Sequence, residues 1–139
     1  MMTQCTLNDL EKAYLAGIID GEGTVALAHA ANRYTLRPLV NVSNCDMRLM
    51  AWLKARIQFG NVVSRGKPRK SNWKKGYIFM IEYAWKCKVV LELILPYLIL
   101  KRRQAELLLE YCSSHEKGKY TERDLVIFLE LKALNKRGP

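Results

Sequence analysis

The segment from Tyr14 to Gly23, Tyr-Leu-Ala-Gly-Ile-Ile-Asp-Gly-Glu-Gly, constrains this chain more than any other stretch. It is predicted to be an apolar helix with Gly17 in its middle, although a glycine inside a helix costs about 1 kcal/mol relative to alanine. Gly17, with Ala13 and Ala16 beside it, therefore indicates that another backbone comes close to this helix. At its end Glu22 lies between two glycines, so little bulk shields a carboxylate whose oxygens suit a hard divalent cation.

Length and composition predict one soluble globular domain. The 139 residues suffice for a single hydrophobic core, and no apolar run reaches the roughly 18 residues of a membrane span. The N-terminus lacks the apolar core and cleavage site of a signal peptide. We therefore expect one domain over residues 1–139. We expect it to be intracellular, in a bacterial or phage cytoplasm or in an organelle, with no membrane partner.

The cysteines predict neither a metal site nor a disulfide framework. Cys5, Cys45, Cys87 and Cys112 are far apart and no C-x-x-C spacing occurs. The sequence therefore indicates no zinc, and reduced, partly buried thiols.

The positive charge is concentrated in one segment. The net charge is +10, from 23 Lys and Arg against 13 Asp and Glu. Residues 24–81 hold eleven of the basic residues and a single acid, Asp46, whereas the remainder is balanced at twelve of each. A contiguous surplus indicates a surface for a polyanion such as a nucleic acid. Membrane binding is the competing interpretation, but no basic amphipathic helix with aromatic anchors accompanies the charge.

Hydrophobic periodicity and capping residues predict an α+β fold in the order α-β-β-α-β-β-α-α-α. Thr6, Asp46 and Thr121 are the predicted N-caps of the first, second and last helices, and Gly21 and Gly23 are predicted to end the first helix. Two hairpins would form a four-stranded antiparallel sheet with the helices packed on one face. The predicted helices cover residues 7–19, 47–58, 86–95, 100–115 and 121–134, and the predicted strands cover 24–32, 34–44, 61–64 and 77–83.

The other face of the sheet is predicted to be open. In the second strand apolar and polar residues alternate, which is the pattern of a sheet with one buried face. In the first strand one face is mostly alanine, which makes a poor core but allows close approach of a large ligand. Arg37 and Asn41 have side chains suited to guanine and adenine respectively. The candidate nucleic-acid contacts on this face and its hairpin turns are Thr24, Ala26, Ala28, Asn32, Arg33, Arg37, Asn41, Arg65 and Lys67.

The connection between the third and fourth strands, residues 65–76, has six basic residues and no acid. It is either a disordered basic loop or a hairpin tip that lies along a phosphate backbone. Its place within the basic segment favours the second interpretation. The candidate phosphate contacts in this loop and at the C-terminus are Arg69, Lys70, Lys74, Lys75, Lys136 and Arg137.

The segment from Leu15 to Gly23 resembles, position by position, the motif that names the LAGLIDADG homing endonucleases. Ile18 stands in place of Leu, Gly21 in place of the second Ala, and Glu22 in place of the second Asp. The predicted order of elements also resembles that family's fold over essentially the whole chain. The resemblance implies a nuclease that cuts both DNA strands across the minor groove and leaves short 3′ overhangs.

The resemblance also implies a metal site. By position Glu22 is the metal-ligating carboxylate and the carbonyl of Gly21 is a second ligand. Asp20 corresponds to the earlier acid of the motif, which stabilises the helix end. The implied cofactor is Mg²⁺, and Mn²⁺ or Ca²⁺ could occupy the same site. With so few protein ligands, the affinity for metal without DNA is expected to be weak.

Three further residues match positions with catalytic roles in the family. Asn44, at the end of the second strand, and Arg48, on the helix that follows, match residues that organise the attacking water. Lys101 matches a lysine after the helix-ending proline, where a cation can stabilise charge developing on the phosphate.

The motif occurs only once, which implies a homodimer. In the family two motif helices pack together at the centre, so Ala13, Ala16 and Gly17 are the candidate interface residues. A symmetric dimer imposes two-fold symmetry on its DNA, and the target is expected to be palindromic or nearly so.

Three other functions stay open from the sequence. An RNA-binding splicing helper needs the basic surface but not Glu22, and a non-cutting DNA-binding regulator keeps the fold without catalysis. An unrelated basic interaction domain leaves Gly17 and the spacing of the paired acids unexplained.

Overall fold

The computed structural model describes residues 5–31, 35–67, 70–72, 74–114 and 121–136. None of the helices described there is long and apolar enough to cross a membrane. A short 3-10 helix, Leu95–Tyr97, follows the third helix. The elements in chain order are α1 (Asp9–Glu22), β1 (Gly23–His29), β2 (Leu36–Asn44), α2 (Met47–Arg56), β3 (Asn61–Ser64), β4 (Tyr77–Glu82), α3 (Ala84–Ile94), α4 (Arg102–Ser114) and α5 (Glu122–Leu134).

The strands form one four-stranded sheet in the order β1-β2-β4-β3, and every pair is antiparallel. The predicted α+β fold is therefore confirmed. Gly23 pairs with Val42, and Asn44 pairs with Tyr77. The start of β1, the end of β2 and the start of β4 consequently meet at one end of the sheet. We call this end the α1 end, since α1 leads directly into β1 there.

The core lies between the helices and one face of the sheet. Alternate strand residues are buried, which confirms the predicted period-2 pattern. Leu15 and Ile19 on α1 pack into the same core. The strand side chains that point into it are Val25, Leu27, Leu36, Val40, Val42, Phe79 and Ile81.

Two predictions about α1 are wrong. Its N-cap is Asn8 rather than Thr6, because Asn8 and Glu11 form a reciprocal capping box. The helix also continues through Gly21 to Glu22 instead of ending near residue 19. Gly23 is the residue that ends it, where the chain becomes extended and the Gly23 N–H bonds to the Ile19 carbonyl.

The bounds of β1, β2 and β4 also differ from the predicted ones. β4 ends at Glu82 because Tyr83 adopts a φ of 77° and begins the turn into α3. Both strands of the first hairpin are shorter than predicted, because β1 already ends at His29 and β2 begins only at Leu36. Its predicted turn at Asn32 and Arg33 lies outside the described residues. The predicted N-caps of α2 and α5 are confirmed.

The four cysteines form no disulfide bond, and each is a free thiol. Cys87 is buried and Cys5 and Cys112 are half-buried, as predicted, whereas Cys45 is exposed.

The two glycines at the end of α1 should respond in opposite ways to the same substitution. A Cβ at Gly23 would lie 2.7 Å from the Ile19 Cα and 2.8 Å from its carbonyl oxygen, whereas a Cβ at Gly21 meets nothing within 4 Å. We expect Gly23→Ala to lower the free energy of unfolding by about 1–3 kcal/mol through overpacking. Gly21→Ala should raise it by up to about 1 kcal/mol, because alanine favours the helix. Urea unfolding of both variants is the measurement, and equal effects would contradict the close contact at Gly23.

Candidate active site

Glu22 and Asn44 come together at the α1 end of the sheet. Glu22 is the last residue of α1 and Asn44 is the last residue of β2. The Asn44 Nδ2 donates to the Glu22 Oε2 at 2.6 Å, which joins two residues 22 positions apart. Glu22 is exposed, and its carboxylate keeps accepting capacity beyond this one bond. The amide therefore orients the carboxylate without enclosing it.

The orientation of Asn44 is itself determined by the start of α2. Its Oδ1 accepts from the Asp46 backbone N–H at 2.8 Å, so its Nδ2 is directed to Glu22. An asparagine amide has one acceptor end and one donor end. The turn from β2 into α2 thus places a hydrogen-bond donor on the carboxylate.

Arg48 is held by Asp46, a partner that the sequence indicated only as a helix cap. Asp46 accepts from the Arg48 backbone N–H and from two guanidinium nitrogens, the shorter contact being 2.7 Å. These hydrogen bonds from Arg48 lower the pKa of Asp46 to about 2. The Arg48 side chain is 92% exposed. The Arg48 guanidinium, paired with the Asp46 carboxylate, therefore lines the same hollow as Glu22 and Asn44.

Asp20 fastens the end of α1 to the helical layer. Its two carboxylate oxygens accept from the backbone N–H groups of Ile99 at 2.8 Å, Leu100 at 3.2 Å and Lys101 at 3.0 Å. The Lys101 Nζ returns to the Asp20 carbonyl at 2.7 Å. The ammonium group is consequently fixed at the C-terminal end of α1, where the helix dipole favours a cation. The Asp20 carbonyl that it contacts precedes Gly21 by one residue and Glu22 by two in the sequence.

The oxygen atoms at this end of the sheet could supply only some of the ligands that a divalent cation needs. The Gly21 carbonyl belongs to the last turn of α1, where carbonyls have no intrahelical partner. With the Glu22 carboxylate it offers hard oxygen ligands of the kind that Mg²⁺ and Ca²⁺ take. Within the described residues no three His, Cys, Asp or Glu side chains gather to hold a metal ion. Phosphate oxygens and water would have to complete the coordination.

The open face of the sheet carries the predicted contact residues in cross-strand rows. Thr24 pairs with Asn41, which pairs with Met80, and Ala28 pairs with Arg37. Their core-facing neighbours Val25 and Val40 are buried, so Thr24, Ala26, Ala28, Arg37 and Asn41 lie on the other face, as predicted. At the β1 edge of that face, Ala26 and Ala28 line a hollow with Phe128 and Leu131 of α5. The Oδ1 of Asn41 is buried without a hydrogen-bond partner. Such an unpaired acceptor is rare in proteins and marks a group that a ligand can satisfy.

The C-terminal end of the predicted basic loop lies beside the candidate active site. Lys74 and Lys75 line a hollow together with Asn44, Asp46 and Arg48. The Lys75 ammonium lies 5.8 Å from the centre of the Tyr77 ring, a cation–π distance. The candidate contacts that the structure describes as exposed are Arg65, Lys67, Lys70, Lys74, Lys75 and Lys136. Asn32, Arg33, Arg69 and Arg137 lie outside the described residues.

A second exposed surface runs along α1. We call it the α1 face, and it consists of Leu10, Ala13, Tyr14, Gly17 and Gly21. Leu10 is 84% and Tyr14 56% exposed, and a Cβ at Gly17 would meet nothing within 4 Å. The fold of a single chain therefore leaves room for a larger residue at position 17.

The prediction that Ala16 belongs to a subunit interface is wrong. Ala16 is fully buried in the core of this chain, so its side chain cannot contact a second copy. It lies on the same side of α1 as Leu15 and Ile19. The helical period of 3.6 residues could have revealed this, since Leu10, Ala13, Gly17 and Gly21 share the opposite stripe.

Comparison with known proteins identifies the fold. No family model and no curated protein matches the sequence. Among solved structures, the homing endonuclease I-CvuI in complex with DNA in the presence of magnesium matches with a TM-score of 0.74 and 21% identity, over 94% of this chain and 84% of that one. The archaeal intron-encoded homing endonuclease I-Vdi141I, complexed with DNA, gives 0.71 and 17%, over 94% and 87%.

A longer neighbour matches this chain over about half its length. The LAGLIDADG meganuclease I-AabMI, bound to uncleaved DNA, has a TM-score of 0.67 and 19% identity over 91% of this chain and 44% of its own. The chain therefore has the LAGLIDADG homing endonuclease fold, and the resemblance stated from the motif is confirmed at the level of the fold.

Removal of the Asp20 carboxylate should destabilise the end of α1. We expect Asp20→Ala to lower the free energy of unfolding by about 1.5–3 kcal/mol, because three backbone N–H groups lose a charged acceptor. Asp20→Asn keeps one oxygen and should lose less. Urea unfolding is the measurement, with Glu106→Ala on the exposed surface of α4 as control. Unchanged stability in Asp20→Ala would mean that the contacts to residues 99–101 do not hold the helix end.

Proposed function

We propose that this protein is a site-specific, metal-dependent endonuclease of double-stranded DNA, of the homing endonuclease type. The observation that carries the proposal is the exposed Glu22 carboxylate, oriented by Asn44 at the end of an open sheet face bordered by basic residues. The DNA complexes of the structural neighbours support the choice of substrate. An RNA-binding role would leave the arrangement around Glu22 without a purpose.

The protein's own groups suit hydrolysis of a phosphodiester. Glu22 and the Gly21 carbonyl would hold Mg²⁺, and Mn²⁺ or Ca²⁺ could occupy the same position. When bound, such an ion supplies Lewis-acid stabilisation and an activated water. Asn44 holds the Glu22 carboxylate in place, and Arg48 and Lys101 supply fixed positive charge near the phosphate. Preorganised charge of this kind stabilises a transition state that is more negative than the ground state.

The open sheet face is the proposed surface for the DNA major groove. There the edges of all four base pairs can be distinguished by hydrogen bonds and by contact with the thymine methyl group. Arg37 and Asn41 lie on this face, and Asn41 carries the unpaired amide oxygen. Lys74 and Lys75, beside the candidate active site, would contact the phosphates nearest the cut.

The α1 face is the proposed contact between two copies of the chain. Gly17 is open on its own subunit, and exposed Leu10 and Tyr14 flank it. Glycine there allows two helices to approach closely. Each chain carries one Glu22, so two copies would supply one carboxylate per DNA strand. The half-length match to I-AabMI supports the view that one copy of this chain corresponds to half of a complete enzyme. The paired subunits would cut a palindromic or nearly palindromic target and leave short 3′ overhangs.

Glu22→Gln tests the proposed catalysis. The amide keeps the size of the side chain but removes the charge that attracts a metal, so we expect at least a 100-fold loss of cleavage. Binding to the target should remain within a few-fold of wild type, because Glu22 lies outside the base-reading surface. The measurement is a cleavage selection on a randomised palindromic DNA library with Mg²⁺, followed by binding assays on the recovered site.

The other outcomes of this selection decide against the proposal. Retention of one DNA sequence without cleavage by either protein would indicate a regulator. Cleavage that persists in Glu22→Gln would remove Glu22 from the active site. Joint loss of folding and binding in Glu22→Gln would make Glu22 a structural residue.

Gly17→Ala tests the proposed dimer by separating folding from association. In a single chain the added methyl group meets no atom within 4 Å, and alanine should stabilise the helix by up to about 1 kcal/mol. Across a close helix pair the same methyl should weaken association at least tenfold. Sedimentation equilibrium gives the association constant, and urea unfolding at low concentration gives the stability. Unchanged association would show that the two helices do not meet at Gly17.

A further inference from the structure

Glu82 is the one acidic residue in the four strands, and it lies on the open face. It ends β4 and pairs with Leu39 on β2, while its neighbour Ile81 faces the core. Leu39 in turn pairs with Ala26. A row of Ala26, Leu39 and Glu82 therefore crosses the surface that the proposed function assigns to DNA.

An acid on such a surface needs a chemical reason. A carboxylate repels the phosphates of DNA and lowers affinity for every sequence. On the major-groove edges of the bases, however, the exocyclic amino groups of cytosine and adenine are donors that a carboxylate can accept from. The surrounding segment, residues 24–81, is otherwise strongly basic, with one acid at Asp46. Glu82 is thus placed where it can contribute to choice of sequence more than to affinity.

Arg37 is the nearest charged neighbour of Glu82. The Arg37 Nη1 lies 3.9 Å from the Glu82 Oε1, and the two side chains are 49% and 36% exposed. This distance is too long for a hydrogen bond. Within the described residues neither side chain has a hydrogen bond to any other group, so the donors of Arg37 and the oxygens of Glu82 stay available. The pair presents a donor group and an acceptor group side by side.

That arrangement complements one base pair. A G·C pair shows two acceptors, guanine N7 and O6, followed by one donor, cytosine N4, along its major-groove edge. An A·T pair in the same orientation would oppose Arg37 with the adenine amino group and Glu82 with the thymine O4. We propose that Arg37 and Glu82 together read one G·C pair in each half-site, and that Glu82 excludes thymine at the cytosine position. This inference rests on the proposed function and names two of its specificity-determining residues.

The register indicates where that base pair lies. Glu82 pairs with Leu39, five residues along β2 from Asn44 at the active-site end. At about 3.3 Å per strand residue this is roughly 16 Å, which corresponds to about five base pairs at 3.4 Å each. The G·C pair is therefore expected about five base pairs from the active-site end in each half-site.

The test is a binding selection on a randomised palindromic duplex library without divalent metal, so that no strand is cut. Wild-type protein should retain duplexes with a G·C pair at two symmetric positions, each about five base pairs from the active-site end. Glu82→Gln should reduce the preference for cytosine over thymine there by about 5- to 100-fold, and Arg37→Ala should reduce the guanine preference at the same positions. Glu106→Gln, which makes the same charge change on the exposed surface of α4, should leave every position unchanged.

Several results would overturn the inference. If Glu82→Gln tightens binding to all duplexes equally, Glu82 only offsets the charge of Arg37. If the two substitutions relax different positions, the residues do not share a base pair. A wild-type site that is unchanged in Glu82→Gln refutes the inference alone. Failure of wild-type protein to retain any sequence refutes the proposed function together with it.

Discussion

The carboxylate of Asp20 is the contact on which the arrangement of this molecule depends. It joins the last turn of α1 to the backbone that enters α4, and the Lys101 ammonium donates a further hydrogen bond to the Asp20 carbonyl. Glu22 and the first residue of β1 follow within three positions. One anchored helix end therefore determines the position of the metal-binding candidate and the start of the strand that begins the open face. The two acids of the motif differ in their surroundings, since Asp20 accepts from three backbone N–H groups whereas the exposed Glu22 accepts from the Asn44 amide.

The second constraint is the division of the sheet into a closed and an open face. Helices cover the first, and the second offers an unusual mixture for a surface in a basic segment. Small and apolar side chains such as Ala26, Leu39 and Met80 lie among a few polar groups. Four of the five lysines of residues 24–81 belong to the 65–76 loop instead. If the open face binds DNA as proposed, such a division would separate affinity for DNA from discrimination between sequences. Flexible cations can follow any phosphate backbone, whereas short side chains on a rigid sheet permit contact only with a matching groove edge.

Much of this could be predicted from the sequence because the strongest signals are local. Alternation in β2 identified its buried face, and the capping residues Asp46 and Thr121 located two helices. The motif placed Glu22 correctly at the end of a helix. The predicted end of α1 is wrong because the helix tolerates Gly21 in its last turn, whereas the position that requires glycine is Gly23, where β1 begins close to Ile19. Ala16 was assigned to the interface by residue size alone, without regard to helical phase. The Glu22–Asn44 and Arg37–Glu82 contacts depend on strand pairing, which no local pattern specifies.

The exposed α1 face has a consequence for how the proposed cleavage activity would depend on the concentration of the protein in a cell. If each subunit brings one carboxylate and addresses one strand, the competent species is the pair. Below the dissociation constant of the pair, its concentration varies with the square of the amount of chain present. A threefold fall in expression would then reduce the cutting species about ninefold. Pairing through the α1 face would thus make the proposed cleavage depend steeply on the amount of protein, so that little DNA is cut when the protein is scarce.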